Sequence, residues 1–232
     1  MTKVYYGGAH TPTNVRIKEH HNIVEVSIYD RMMWKRIDGM EEEILQERAK
    51  RGSVSDEIQE RSLQRSFAIL RDYSLSNYHH FHSFITLTFT DNISDLTVAH
   101  GHFEQWVKKV RRVYPDFMYL GVPEFQKRGA VHYHVMTNIP CGSDLLPQRE
   151  RIWTYNKAKD KYYPLDYYDI PYWSDKNGKL GNSSAFDLQL TDDKFSVTAY
   201  LTKYFFKEKD NRLFNKVKVL HSNNLQKPNI IL

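Results

Sequence analysis

Hydrophobic positions change their period several times along the chain, and each change marks an element. Phe84-Ile85-Thr86-Leu87-Thr88-Phe89 is a short β-rich run bounded by a turn, and it predicts a central strand. Phe117 to Phe125 and Ala130 to Ile139 are two more strand-like runs. Gln126-Lys127-Arg128-Gly129 joins them as a hairpin connection, with Gly129 free to take a positive φ. Phe186 to Leu190 is a further strand.

Helical spacing appears between these runs. From Ser55 to about Leu75, Ile58, Leu63, Phe67, Leu70 and Leu75 recur near one face, and Ser55 or Asp56 can cap the start. Asp95 to Tyr114 reads as a second helix closed by Pro115, and Lys194 to Lys207 as a third. Asn22 to Tyr29 alternates weakly like a strand, and Glu41 to Arg51 has the charge of an exposed helix. Residues 1–54 are otherwise an N-terminal extension whose structure the pattern leaves open. Residues 152–182 carry many tyrosines with Pro164, Pro171 and Asn177-Gly178, and read as loop with one short hairpin. Strands interleaved with helices and a tight hairpin predict an α+β domain: a central antiparallel sheet covered by helices.

At 232 residues the chain can bury one good-sized core. Its formal net charge of +5 is compatible with a polyanionic partner without establishing one. Eight cations between Lys194 and Lys227 oppose only Glu208 and Asp210, and Lys108-Lys109-Val110-Arg111-Arg112 forms a second basic run. Taken singly, each is an ordinary solvated face. Cys141 stands alone, which removes a disulfide framework and any cysteine-based zinc site. No apolar stretch has the length of a membrane span and no leader pattern is visible, so a cytoplasmic setting without a membrane partner is expected.

Three His-x-His pairs occur: His80/His82, His100/His102 and His132/His134. The motif is therefore cheap, and geometry has to choose among its copies. Residues two apart on a strand share a face, so both rings can reach one ion. Only His132 and His134 lie in a convincing strand; His100 and His102 fall in a helix, roughly 200° apart. The hairpin returns Glu124 beside the pair. Two imidazoles and a carboxylate leave open coordination positions and suit Mn²⁺ or Mg²⁺, with Zn²⁺ still open. The alternative is a pair of polar residues on a half-buried sheet beside a solvent carboxylate.

The third helix carries Tyr-x-x-Lys twice, so Tyr200, Lys203, Tyr204 and Lys207 share a stripe beside the apolar stripe Val197, Leu201, Phe205. A phenol with its usual pKa of about 10 is a poor nucleophile. A nearby ammonium favours the phenolate, and a metal on a phosphate makes it more electrophilic. Half-buried packing tyrosines on an amphipathic helix are the plainer reading.

Taken in order, the strand at Phe84–Phe89, the Glu124 to His134 segment and the Val197 to Lys207 helix resemble the HUH endonuclease superfamily, specifically the rolling-circle replication initiator (Rep) proteins of small bacterial plasmids and single-stranded DNA phages. The likeness spans roughly residues 60–228, including His221 to Pro228. It implies a nicking and joining domain over residues 55–232, with about five strands in an arrangement akin to the RNA-recognition motif. It also implies Glu124, His132 and His134 as ligands of Mn²⁺ or Mg²⁺. Tyr200 would attack single-stranded or hairpin origin DNA, leaving a 5′-phosphotyrosine and a free 3′-OH. Tyr204 would be a second nucleophile, Lys203 would position the phosphate or stabilise the phenolate, and Lys127, Arg128 and Lys207 would contact DNA. No Gly-x-x-x-x-Gly-Lys loop or room for a helicase domain is present, so a host helicase and polymerase are expected partners in a bacterial cytoplasm. A transposase or relaxase of the same chemistry, a non-catalytic single-strand binder and a water-activating phosphodiesterase remain open. The Tyr-rich stretch Trp153 to Trp173 matches no motif of that family; it stacks on bases or packs as loop.

Overall fold

A computed structural model of the protein describes residues 13–33, 56–157, 160–181, 183–188, 201–202 and 216–231. Its centre is a five-stranded antiparallel sheet built from β3 (Ser83–Leu87), β4 (Tyr119–Phe125), β5 (Val131–Thr137), β10 (Ser184–Asp187) and β11 (Leu220–His221), in the order β10-β3-β5-β4-β11. With its helices this is the expected α+β fold. Every residue of β5 is buried, because both faces of the central strand are covered. Successive side chains on a strand alternate faces, so β5 divides the core in two.

Val131, Tyr133 and Val135 join Ile85 and Leu87 on one face, against α2 (Leu96–Val113). That helix buries Leu96, Ala99, Phe103, Trp106, Val107 and Val110, the three- and four-residue spacing of a single stripe. Asp95 caps it by accepting from the Thr97 amide at 2.7 Å. Each fully buried aliphatic or phenyl side chain here is worth about 2 kcal/mol of transfer free energy. Met136 joins Phe84, Leu120 and Val122 on the other face, against Leu70 of α1 (Asp56–Asn77) and against Leu225 and Leu201. Leu201 and Thr202 are helical, and Leu201 is fully buried. The rest of the segment Lys194–Lys207, and residues 41–51, lie outside the described residues.

The β4–β5 turn forms as expected: Gly129 has φ 92°, its amide bonds the Gln126 carbonyl, and the Gln126 amide bonds the Ala130 carbonyl. The stretch 152–182 requires a correction. Most of it is paired strand: β6 (Gln148–Asn156) and β7 (Lys161–Tyr168) make a long hairpin, and β8 (Ser174–Asp175) pairs with β9 (Gly178–Lys179) across Asn177-Gly178. Pro164, which argued for loop, sits opposite Trp153 in a two-stranded ribbon, where each strand has an edge that needs no donor. After β7 the chain wraps the end of β3. Trp173 Nε1 donates to the Thr88 carbonyl at 2.7 Å, and the Thr90 amide donates to the Leu180 carbonyl at 2.8 Å.

Before α1 the chain forms β1 (Thr13–Glu19) and β2 (Val24–Met33), and β1 also pairs with β12 (Asn229–Ile231). This small sheet is inverted in polarity. Val24, Val26 and Ile28 face water, while Lys18 and Glu25 face α1. Lys18 Nζ holds both Asp72 oxygens at 2.7 and 2.8 Å, Arg71 pairs with Glu25, and His20 Nδ1 meets Ser76 Oγ at 2.9 Å.

Candidate metal and phosphate site

The site-bearing face of the sheet is fixed by register. In the β4–β5 ladder Glu124 stands opposite His132 and Val122 opposite His134; in the β3–β5 ladder Thr86 stands opposite His134. Glu124, His132, His134 and Thr86 therefore share the face that carries Phe84, Val122 and Met136. All three predicted ligands are at most 8% exposed. Burying a carboxylate and two imidazoles beside Leu and Phe is costly unless each finds a partner. Glu124 and His134 find each other, Oε2 to Nε2 at 2.6 Å. On its far side His134 Nδ1 lies 3.4 Å from Thr86 Oγ1, and its ring stacks on Phe84 with centroids 5.9 Å apart.

His132 has no such arrangement. Its Nε2 is buried without a hydrogen-bond partner. Burial, followed by the neighbouring His134 and Arg128, depresses its pKa to about 4 against the opposing pull of Glu124. The ring is thus neutral at pH 7, with a nitrogen able to offer a lone pair. Among the described residues no three His, Cys, Asp or Glu side chains already converge on a common point. Glu124 and His134 are closed on each other, and a cation would have to part them. The donor set itself fits a hard or borderline divalent ion: one carboxylate, two neutral-capable imidazoles and an orphaned buried nitrogen.

The other predicted residues are placed unevenly. Lys127 is exposed in the hairpin turn. Arg128 is occupied within the protein: its guanidinium donates to the Phe89 carbonyl at 2.5 Å, to the Thr90 carbonyl at 3.2 Å and to Gln126 Oε1 at 2.8 Å. It ties the turn to the end of β3. Tyr200, Lys203, Tyr204 and Lys207 lie outside the described residues. Leu201, the chain neighbour of Tyr200, packs with Phe84, Val122 and Met136 on the same sheet face as the histidine pair. His100 lies on the opposite side, with Nδ1 2.8 Å from the Tyr133 hydroxyl. Thr86 and Phe84, which hold His134 in place, were not singled out from sequence. The signal for them is their shared parity within Phe84–Phe89, once the pairing of that strand with β5 is known.

A five-stranded antiparallel sheet with helices on its faces and an acid–imidazole cluster at a central hairpin defines an α+β protein equipped for polar chemistry. Residues 82–209, more than half of the chain, match the family of replication-associated proteins typified by ORF2, and the chain belongs to that family. Comparison with curated proteins and with solved structures gives no match. Among the described residues no helix is long and apolar enough to cross a membrane.

Proposed function

We propose that the protein nicks and rejoins single-stranded origin DNA through a tyrosine, as a rolling-circle replication initiator of the HUH type. The observation that carries this reading is the burial of Leu201 beside Phe84, Val122 and Met136. Its hydrophobic seat lies on the face that holds Glu124, His132 and His134, so the Tyr-x-x-Lys segment reaches that face through its own backbone. Membership of the replication-associated family supports the biological role.

In this reading Tyr200 Oη attacks the scissile phosphorus and forms a P–O bond to the phenol. The P–O3′ bond breaks, and the released 3′ oxygen gains a proton as the phenol loses one to solvent or a nearby base. The phosphotyrosine ester retains the bond energy, and a free 3′-OH can reverse the step to rejoin the strand. Glu124, His132 and His134 would hold a divalent cation, Mn²⁺ or Mg²⁺, whose charge polarises the phosphate. The Glu124 hydrogen bond and Thr86 orient His134, the apolar surround keeps His132 neutral, and Lys203 favours the phenolate. Tyr204 is the second nucleophile in rank, and Lys127, Arg128 and Lys207 are the phosphate-contact candidates.

The test is a labelled single-stranded origin oligonucleotide incubated with protein and Mn²⁺, resolved under denaturing conditions. A covalent adduct that chelator abolishes and Tyr200→Phe greatly reduces is expected. Cleavage without an adduct would point to activated water. Loss with Tyr204→Phe and not with Tyr200→Phe would reverse the ranking of the two tyrosines.

A further inference from the structure

The β6–β7 hairpin stands outside the main sheet and presents a row of large rings to water. Trp153 and Tyr155 are two residues apart on β6, and Tyr155 is paired with Tyr162 on β7, so the three share one face. Trp153 is 62% exposed, Tyr162 61% and Tyr155 47%. The rings of Tyr155 and Tyr162 lie 5.1 Å apart, and the Tyr155 hydroxyl bonds Asp160 across the turn. Folding has no use for these three rings, because the hairpin is rooted by Leu146, Tyr168 and Ile170 in the core against α2.

Two further observations say what such a face would hold. Residues 148–168 carry five cations (Arg149, Arg151, Lys157, Lys159, Lys161) against Glu150, Asp160 and Asp166, so the rings sit within a mildly cationic setting. Arg151 shares the face of Trp153 and is held by Asp166 at 2.5 and 2.8 Å. The hairpin is also continuous with the candidate site: β7 packs beside the edge strand β10. On β10, Phe186 is 45% exposed and paired with Phe84, the residue stacked on His134. Aromatic surface thus runs from His134 through Phe84 and Phe186 to the sheet edge where the hairpin begins. Flat rings interleaved with cations suit unpaired bases and their phosphates, whereas the bases of a duplex are already stacked on one another.

Resting on the reading of the protein as a single-strand nickase, we propose that β6–β7 is a stacking arm that grips single-stranded DNA beside the Glu124–His134 site, with bases on Trp153, Tyr155 and Tyr162. The arm adds affinity through stacking and leaves the electrostatic part of binding to the cations.

The experiment uses the full chain and fluorescence anisotropy of a labelled single-stranded oligonucleotide of about 16 nucleotides, with the matching duplex in parallel. The exposed double variant Trp153→Ala/Tyr162→Ala should melt like the wild type. It should bind the single strand about thirtyfold more weakly, the scale of two lost base–aromatic stacks. The slope of log affinity against log salt should stay unchanged, because no phosphate contact is removed. Wild-type affinity in the double variant overturns the arm and leaves the nickase reading standing. Equal weakening on duplex, or a reduced salt slope, also overturns stacking as the arm's role. A wild-type protein that binds no single-stranded DNA overturns both.

Discussion

Glu124 is bonded to the histidine diagonal to it, His134, and not to His132, which stands directly opposite in the β4–β5 ladder. The diagonal contact leaves the facing imidazole with a buried, unpartnered Nε2. A sheet rarely keeps such a nitrogen without a use for it, since an unsatisfied buried polar atom costs on the order of 1–3 kcal/mol.

The first prediction concerns that nitrogen. In calorimetric titration with Mn²⁺, His132→Ala and Glu124→Ala should each remove measurable binding. Thr86→Val, which strips the hydroxyl behind His134 and keeps the shape, should weaken binding about tenfold. Wild-type affinity in His132→Ala would show that the ion, if bound, sits elsewhere.

The hydrogen bond between His100 and Tyr133 predicts a stability maximum with two limbs. Burial lowers the His100 pKa from 6.5, so the unfolded chain takes up a proton that the folded protein resists. That contribution is present above pH 6.5 and is lost as pH falls below it. Burial raises the Tyr133 pKa from 10, so its contribution is present below pH 10 and is lost as pH rises further. Thermal denaturation across about pH 5–11 should show both limbs, with His100→Asn flattening the acid side and Tyr133→Phe the alkaline side.

Lys18 and Asp72 form a largely enclosed ion pair between β1 and α1. Removing only Asp72 strands the ammonium, and Asp72→Ala should cost about 3 kcal/mol in urea unfolding. The double replacement Lys18→Met/Asp72→Leu should recover most of that loss. A double variant no better than the single one would mean the pair supplies net attraction beyond cancelling its own burial.

A Cβ added at Gly181 would stand 2.2 Å from the Thr88 carbonyl oxygen and 2.9 Å from the Thr90 amide nitrogen. Neither backbone atom can yield without disturbing the end of β3. Gly181→Ala should therefore destabilise the fold by about 3 kcal/mol, measured by chemical denaturation. Gly101→Ala, where nothing lies within 4 Å, should not.

What could be read from sequence follows the reach of the hydrophobic pattern. Both described α-helices and the strands β3, β4 and β5 were legible, because each buries a periodic apolar face against the sheet or a helix. The Glu124, His132 and His134 grouping was legible for the same reason: strand parity and the Gly129 turn set its register. The β1–β2 region resisted reading since its pattern is inside out, with Lys18 and Glu25 turned inward and Val24, Val26 and Ile28 turned to water. The β6–β7 ribbon was missed because its rings do not alternate with polar residues and Pro164 argued against pairing. Thr86 and Phe84 were hidden as site residues because no local pattern tells which strand lies beside His134.

The pairing of β1 with β12 has a consequence for how the protein is made. Ile17 leaves the ribosome long before its partner Ile231, which follows only after the whole central sheet has been synthesised. Until then β1 lacks that neighbour, and the inward charges of the small sheet can settle only against α1. Nascent chains stalled before residue 229 should thus hold a formed histidine face but an unfinished N-terminal sheet, open to proteases at Thr13–Glu19.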